Sequence, residues 1–357
     1  MAIKKEDYFS QRNHDCQLKI KNILKNDLPD FCQEFFVGIQ SRTSSLTRLN
    51  YAYDLRTFFE FALQNLSTFA NIASVKNLTV KDLDKFTSYD LELFISYVSD
   101  YMRSDGRDFT NTERGKARKL SAVKSMFKYF FRRGDLDSDI SAKVDSPKIH
   151  EKEIVRLERP EVNELLDIVE TGSGLSSHQK AFHEKNKIRD MAILALFLGT
   201  GIRVSELVGL NSEDFDLVNN SFVVTRKGGN RVILYLNDEI KQYLIEYIAL
   251  KENKEKLSLE KQSPAMFLSM RNTRLTTRAV ENIIKKYAKV AVPLKKITPH
   301  KLRSTFGTEL YRSTGDIYIV ADVLGHKDVN TTKKHYAALS EDIRREASRK
   351  VKLRKDD

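Results

Sequence analysis

Ser221-Phe222-Val223-Val224-Thr225-Arg226-Lys227-Gly228-Gly229-Asn230-Arg231-Val232-Ile233-Leu234-Tyr235-Leu236 sets two β-branched and aromatic runs on either side of a short basic turn. Runs of that composition, separated by Gly and Asn, predict a β-hairpin. Downstream the apolar residues recur at helical spacing, predicting helices over about 238–251, 276–290, 299–313, 316–324 and 331–339. Upstream, a helix follows Pro160, a Gly/Ser-bearing stretch runs over 171–177, a second helix covers about 187–198, and a short one starts near Val204 after Gly199-Thr200-Gly201. This half reads as a mostly helical domain with one small antiparallel sheet.

The first half is helical throughout. Leu46, Leu49, Tyr53, Leu55, Phe58, Phe59 and Ala62 lie on one face of a helix over about 44–63, with Ser44 or Ser45 as its N-cap. Further helices are expected over about 28–40, 88–101 and 113–131. In the last, Leu120, Val123, Phe127 and Phe130 make an apolar stripe, opposed by Lys124, Lys128 and Arg132. Glu113 is the only acid between Thr112 and Arg133. Such a face either is simply solvated or tracks a phosphate backbone; Lys124 and Lys128 are the candidate DNA contacts. From Arg133-Gly134 onward the period is lost. The expected organisation is a helical domain over 1–134, a linker over 135–159, a second domain over 160–340 and a terminal segment over 341–357. The fold class is mainly α (α+β in its second half).

Length and composition limit the function. At roughly 150 residues per domain, 357 residues suit two domains. The longest apolar run, Met191 to Leu198, is far short of the roughly 20 residues that span a bilayer. Met1 to Asp7 has no apolar stretch behind its lysines, so neither a signal peptide nor a membrane is expected, and the default location is the cytoplasm. Cys16 and Cys32 are too few for a disulfide scaffold or a cysteine zinc site and read as reduced thiols. The formal charge of +12 favours a polyanionic partner, with 24 basic and 20 acidic residues in the first 150 positions and 37 and 29 beyond.

Four short phrases in the second half carry candidate chemistry. Gly199-Thr200-Gly201-Ile202-Arg203 puts a guanidinium at a helix start, where free backbone amides would make an anion site. Thr298-Pro299-His300-Lys301-Leu302-Arg303 sets a histidine and an arginine three apart on one helix face. Leu324-Gly325-His326 supplies a second histidine, and Tyr336 follows ten residues beyond it. Each phrase alone is equally compatible with a solvated or packed side chain.

Their order is what resembles a family. Arg203, the hairpin Lys227, His300 with Arg303, His326 and Tyr336 match, in sequence, the pattern of the tyrosine recombinase (phage integrase) family. The resemblance covers about 160–340, extends more weakly to the N-terminal helices, which resemble a core-binding domain, and is nearest the XerS branch of the Xer recombinases. It implies a site-specific recombinase that breaks and rejoins double-stranded DNA at an inverted-repeat site, as a homotetramer on two sites. Tyr336 would be the nucleophile and form a 3′-phosphotyrosyl bond, while Arg203 and Arg303 clamp the nonbridging phosphate oxygens. His326 would add a hydrogen bond there, His300 would help remove the tyrosine proton, and Lys227 would protonate the leaving 5′-oxygen. The phosphotyrosyl link conserves the phosphodiester's energy, so no ATP is needed.

The resemblance further implies that 341–357 docks on a neighbouring protomer. No cofactor is expected, and the seven histidines, His14, His150, His178, His183, His300, His326 and His335, include no HExxH motif. His178 and His183 are expected to be solvated. Tyr311 and Tyr318, the other hydroxyls near the motifs, are expected to pack. Readings left open are an integrase of a phage or mobile element, a type IB topoisomerase, and a DNA-binding regulator without activity.

Overall fold

A computed structural model describes residues 8–102, 106–149, 155–226, 229–256, 263–325 and 329. The chain divides between Glu151 and Lys152 into two compact units.

The first unit contains α1 (Tyr8–Asn26), α2 (Cys32–Gly38), α3 (Ser45–Asn65), α4 (Ser88–Tyr97) and α5 (Glu113–Arg133), with strands β1 (Asp100–Met102) and β2 (Asp108–Thr110) between the last two helices. Ser44 caps α3, its hydroxyl accepting the Thr47 N–H at 3.2 Å. The core is aromatic: the Phe58 ring meets Phe59, Phe86, Phe94 and Phe127 at centroid distances of 5.3, 5.0, 5.1 and 6.4 Å. Both cysteines are free and buried.

Two expectations are corrected here, and one helix is new. The helix expected over 28–40 is only Cys32–Gly38, because the chain turns through Pro29 before it starts. α1 was not anticipated, since only Cys16, Ile20 and Ile23 of its 19 residues are buried, too sparse a stripe to stand out in the sequence. The helix expected over 88–101 stops at Tyr97. Tyr101 instead pairs across β1–β2 with Phe109, their rings stacked at 5.6 Å, a cross-strand contact that helical spacing does not reveal.

On α5 the apolar stripe is buried as expected. Its basic residues divide into different roles. Arg118 and Lys119 both turn onto the buried carboxylate of Asp54 on α3. Burial pushes that carboxyl's pKa up, and the two cations pull against the shift. The Lys124 ammonium donates to the Val144 carbonyl, whereas Lys128 is exposed. The start of the stretch expected as linker packs onto this unit, with Leu136 and Val144 buried in its core.

The second unit runs α6 (Arg159–Thr171), α7 (Ser177–Thr200), α8 (Val204–Gly209), β3 (Phe215–Asp216), β4 (Ser221–Thr225), β5 (Arg231–Tyr235), α9 (Asp238–Lys256), α10 (Thr277–Ala291), α11 (Pro299–Thr314) and α12 (Ile317–Leu324). The expected hairpin is present in the register Val223↔Ile233, and β3 extends it to an antiparallel sheet ordered β3-β4-β5. The continuous apolar run Met191 to Phe197 lies in α7 and is buried on every side, as suits a helix that α6, α9 and α11 surround. The fold class is mainly α with small antiparallel sheets. Among the described residues, no helix is long and apolar enough to cross a membrane.

α7 begins at Ser177, about ten residues before the expected start, with the Ser176 hydroxyl accepting the Gln179 N–H at 3.3 Å. This overturns the expectation for His183: it is fully buried, while His178 is exposed. His183 Nδ1 lies 3.1 Å from the Tyr287 hydroxyl, which donates to Asp190 at 2.9 Å. Arg189 and Lys286 complete the charge balance on Asp190, at 2.7 and 3.0 Å. Burial and the adjacent carboxylate push the Tyr287 hydroxyl's pKa up. This network joins α7 to α10 just before α7 delivers its C-terminus to the candidate site.

Candidate active site

The site is built where the ends of α7 and α12 meet the starts of α8 and α11. α7 ends on Gly201, whose φ of +61° places it in the left-handed region. A Cβ here would overlap Phe306 and lie 2.8 Å from Leu324 Cδ2, so the close approach of α12 requires glycine. Two residues later Arg203 opens α8. Glu206 fixes it twice, accepting the Arg203 backbone N–H at 2.9 Å and its Nη1 at 2.8 Å. The expected free amide at this helix start is therefore occupied by a carboxylate. What remains open is the Arg203 side chain, 35% exposed, with Nη2 donating to the Gly325 carbonyl at 3.1 Å.

Pro299 sits at the first position of α11, where its fixed φ suits a helix start and its missing N–H costs nothing. His300 is exposed one residue on, and Arg303, on the same face, is 5% exposed. The Arg303 guanidinium donates to the carbonyls of Gly201 and Leu324, bridging the C-terminal ends of α7 and α12. Thr305 on the same helix accepts the Leu157 N–H at 2.9 Å, tying down the entry to the unit.

Arg226, the last described residue before the hairpin turn, is a member of the site that sequence reasoning passed over. Its Nη2 donates to the Val323 carbonyl at 2.8 Å and its Nη1 lies 3.5 Å from the Asp322 carbonyl. Carbonyls 322 to 325 at the end of α12 thus receive three guanidiniums in order: Arg226, Arg303 and Arg203. A helix C-terminus attracts cations, which lets three arginines gather at one point. Burial lowers the pKa of Arg226; Glu206 and Asp322 oppose that shift, and Arg203 adds to it. Glu206 was the other omission, since its capping role is hidden when the N-cap residue is arginine rather than Ser, Thr, Asp or Asn.

Of the six expected catalytic residues, the structure brings Arg203 and Arg303 together and places His300 on the Arg303 helix. Lys227, His326, Tyr336 and the segment 341–357 lie outside the described residues. Of the rival hydroxyls, Tyr311 packs against Val320 and Leu324 as expected. Tyr318 does not pack: it is 69% exposed.

Residues 155–342 match the model of the phage integrase family. The tyrosine recombinase XerS of Streptococcus agalactiae is 31% identical over 332 residues, which cover 87% of this chain and 92% of that protein. The tyrosine recombinase XerC of Caldanaerobacter subterraneus is 30% identical over 313 residues, covering 85% and 82%. In fold the chain is similar to the XerH recombinase bound to its palindromic difH substrate, with a TM-score of 0.61 at 20% identity over 85% of this chain and 80% of that one. A lambda integrase dimer bound to a core site gives a TM-score of 0.60 at 15% identity over 86% and 94%. The fold and family match define a DNA-rearranging enzyme class. The chain belongs to the phage integrase family and is a tyrosine-type site-specific DNA recombinase.

Proposed function

We propose that this recombinase cleaves double-stranded DNA with Tyr336 and carries the cut strand as a 3′-phosphotyrosyl ester. The observation that supports this reading best is the convergence of Arg203 and Arg303 on the adjacent carbonyls of Gly325 and Leu324. Both guanidiniums are held in place before any substrate arrives, and each presents its N–H donors in a rigid planar fork that matches phosphate geometry. Preorganised donors of this kind stabilise charge that develops on a phosphorus centre in the transition state. The Tyr336 oxygen attacks phosphorus as its proton passes to His300. The P–O5′ bond breaks, and the leaving oxygen takes a proton from the Lys227 ammonium. His326 donates to a nonbridging oxygen. Reversal with a new 5′-hydroxyl rejoins the strands.

In this reading the first unit is the core-binding domain, 160–340 is catalytic, and 341–357 docks on the next protomer of a homotetramer spanning two inverted-repeat sites. Lys128, and less directly Lys124, contact the backbone. The XerS and XerC relatives, alike over more than four-fifths of the chain, favour chromosome dimer resolution over integration of a mobile element. The test uses a nicked suicide duplex built on the sequence this protein selects from a random duplex library. Wild type should form a covalent adduct, and Tyr336→Phe should bind equally and form none. An adduct that survives the substitution, or maps to Tyr311 or exposed Tyr318, refutes the assignment.

A further inference from the structure

We propose that Arg226 is a positioning residue for the leaving-group step, bolting the root of the β4–β5 hairpin to the end of α12 so that the chain leads into Lys227 from a fixed point. This rests on the reading of Lys227 as the general acid.

Arg226 is held on two sides. Its backbone closes the hairpin turn: its N–H donates to the Asn230 carbonyl at 2.8 Å, and its carbonyl accepts the Gly229 N–H at 3.0 Å. Its side chain reaches across the fold to the carbonyls of Val323 and Asp322. The residue next in the chain is Lys227. A glycine-bearing turn alone would let that lysine range widely; anchoring the preceding residue removes most of that freedom.

The placement is unfavourable unless it serves such a purpose. The Arg226 Nε is buried without a hydrogen-bond partner, and Arg203 is close enough to repel its charge. The guanidinium lies directly against the end of α12, where Gly325 ends the helix in the left-handed region. Gly325 has a φ of +62°, and a Cβ there would overlap the Arg226 guanidinium. One side chain therefore couples the lysine-bearing hairpin to the end of α12, the same helix end whose carbonyls hold Arg203 and Arg303.

The test compares single-turnover cleavage of the suicide duplex with that of the same duplex carrying a 5′-bridging sulfur, whose departure needs no proton. Arg226→Ala should slow cleavage of the oxygen substrate on the order of a hundredfold, the usual effect of misplacing a catalytic group by about 1 Å. Its DNA affinity should stay within about twofold. Most of the lost rate should return with sulfur, Lys227→Ala should behave alike, and the double variant should be no slower than Lys227→Ala. Arg226→Lys, which keeps the charge and a donor, should recover part of the oxygen rate, and it carries the same comparison if Arg226→Ala melts early. If Lys227→Ala is rescued by sulfur and the Arg226 variants are not, or if the two losses add, the positioning role is refuted alone. If Lys227→Ala is not rescued, the general-acid reading fails and the inference fails with it.

Discussion

Replacing Gly201 by alanine tests whether the close approach of α7 to α12 builds the site. Alanine in the left-handed region costs roughly 1–2 kcal/mol. The new Cβ also meets Phe306 and Leu324, the latter buried and at 2.8 Å, and forcing a packed core apart costs roughly 1–3 kcal/mol more. The total is roughly 2–5 kcal/mol. For a unit of roughly 200 residues, each kcal/mol lowers the melting temperature by about 2–4 °C, giving a fall of roughly 4–20 °C. Gly315, at φ +66° with nothing within 4 Å of its Cβ position, is the control. Gly315→Ala should show only the backbone cost, roughly 2–8 °C. Calorimetry of both variants measures the difference. Because the Gly201 carbonyl accepts from Arg303, cleavage of the suicide duplex should also fall in Gly201→Ala and stay near wild type in Gly315→Ala. Equal melting shifts would refute the close-approach argument.

Burial holds the His183 imidazole below its ordinary pKa, with Lys286 adding to the shift and Glu184 opposing it. The unfolded chain then binds the extra proton first, so stability should drop as pH falls below about 6.5. His183→Gln should flatten that slope in urea titrations at pH 7.5 and 5.5, and an unchanged slope would exclude His183 as its source. Asp190→Ala should destabilise the protein by about 3–5 kcal/mol by leaving Arg189 and Lys286 uncompensated; a urea midpoint near wild type would contradict this. Lys128→Ala should reduce the salt slope of DNA binding by about 0.9, the value for one phosphate contact. Lys124→Ala should act mainly on stability, because its ammonium is committed to the Val144 carbonyl; the reverse pattern would assign the contact to Lys124.

Local pattern alone determined the elements whose period is strong: the hairpin around 226–230, the stripe of α5, and the Pro299 start of α11 are all found near their expected bounds. The same linear order carried the family, because motif residues keep their sequence whatever surrounds them. Tertiary structure decided what depends on neighbours distant in the chain. α1 is a helix although only three of its residues are buried, because α3 supplies the surface that covers them. His183 lies in a polar stretch but is buried, since Tyr287, 104 positions away, comes to meet its ring. Arg226 and Glu206 read as ordinary charges until the fold sets one against the carbonyls of α12 and the other against Arg203. Helical period records which residues one element turns inward, whereas a hydrogen bond across 97 residues is defined only when both ends have folded.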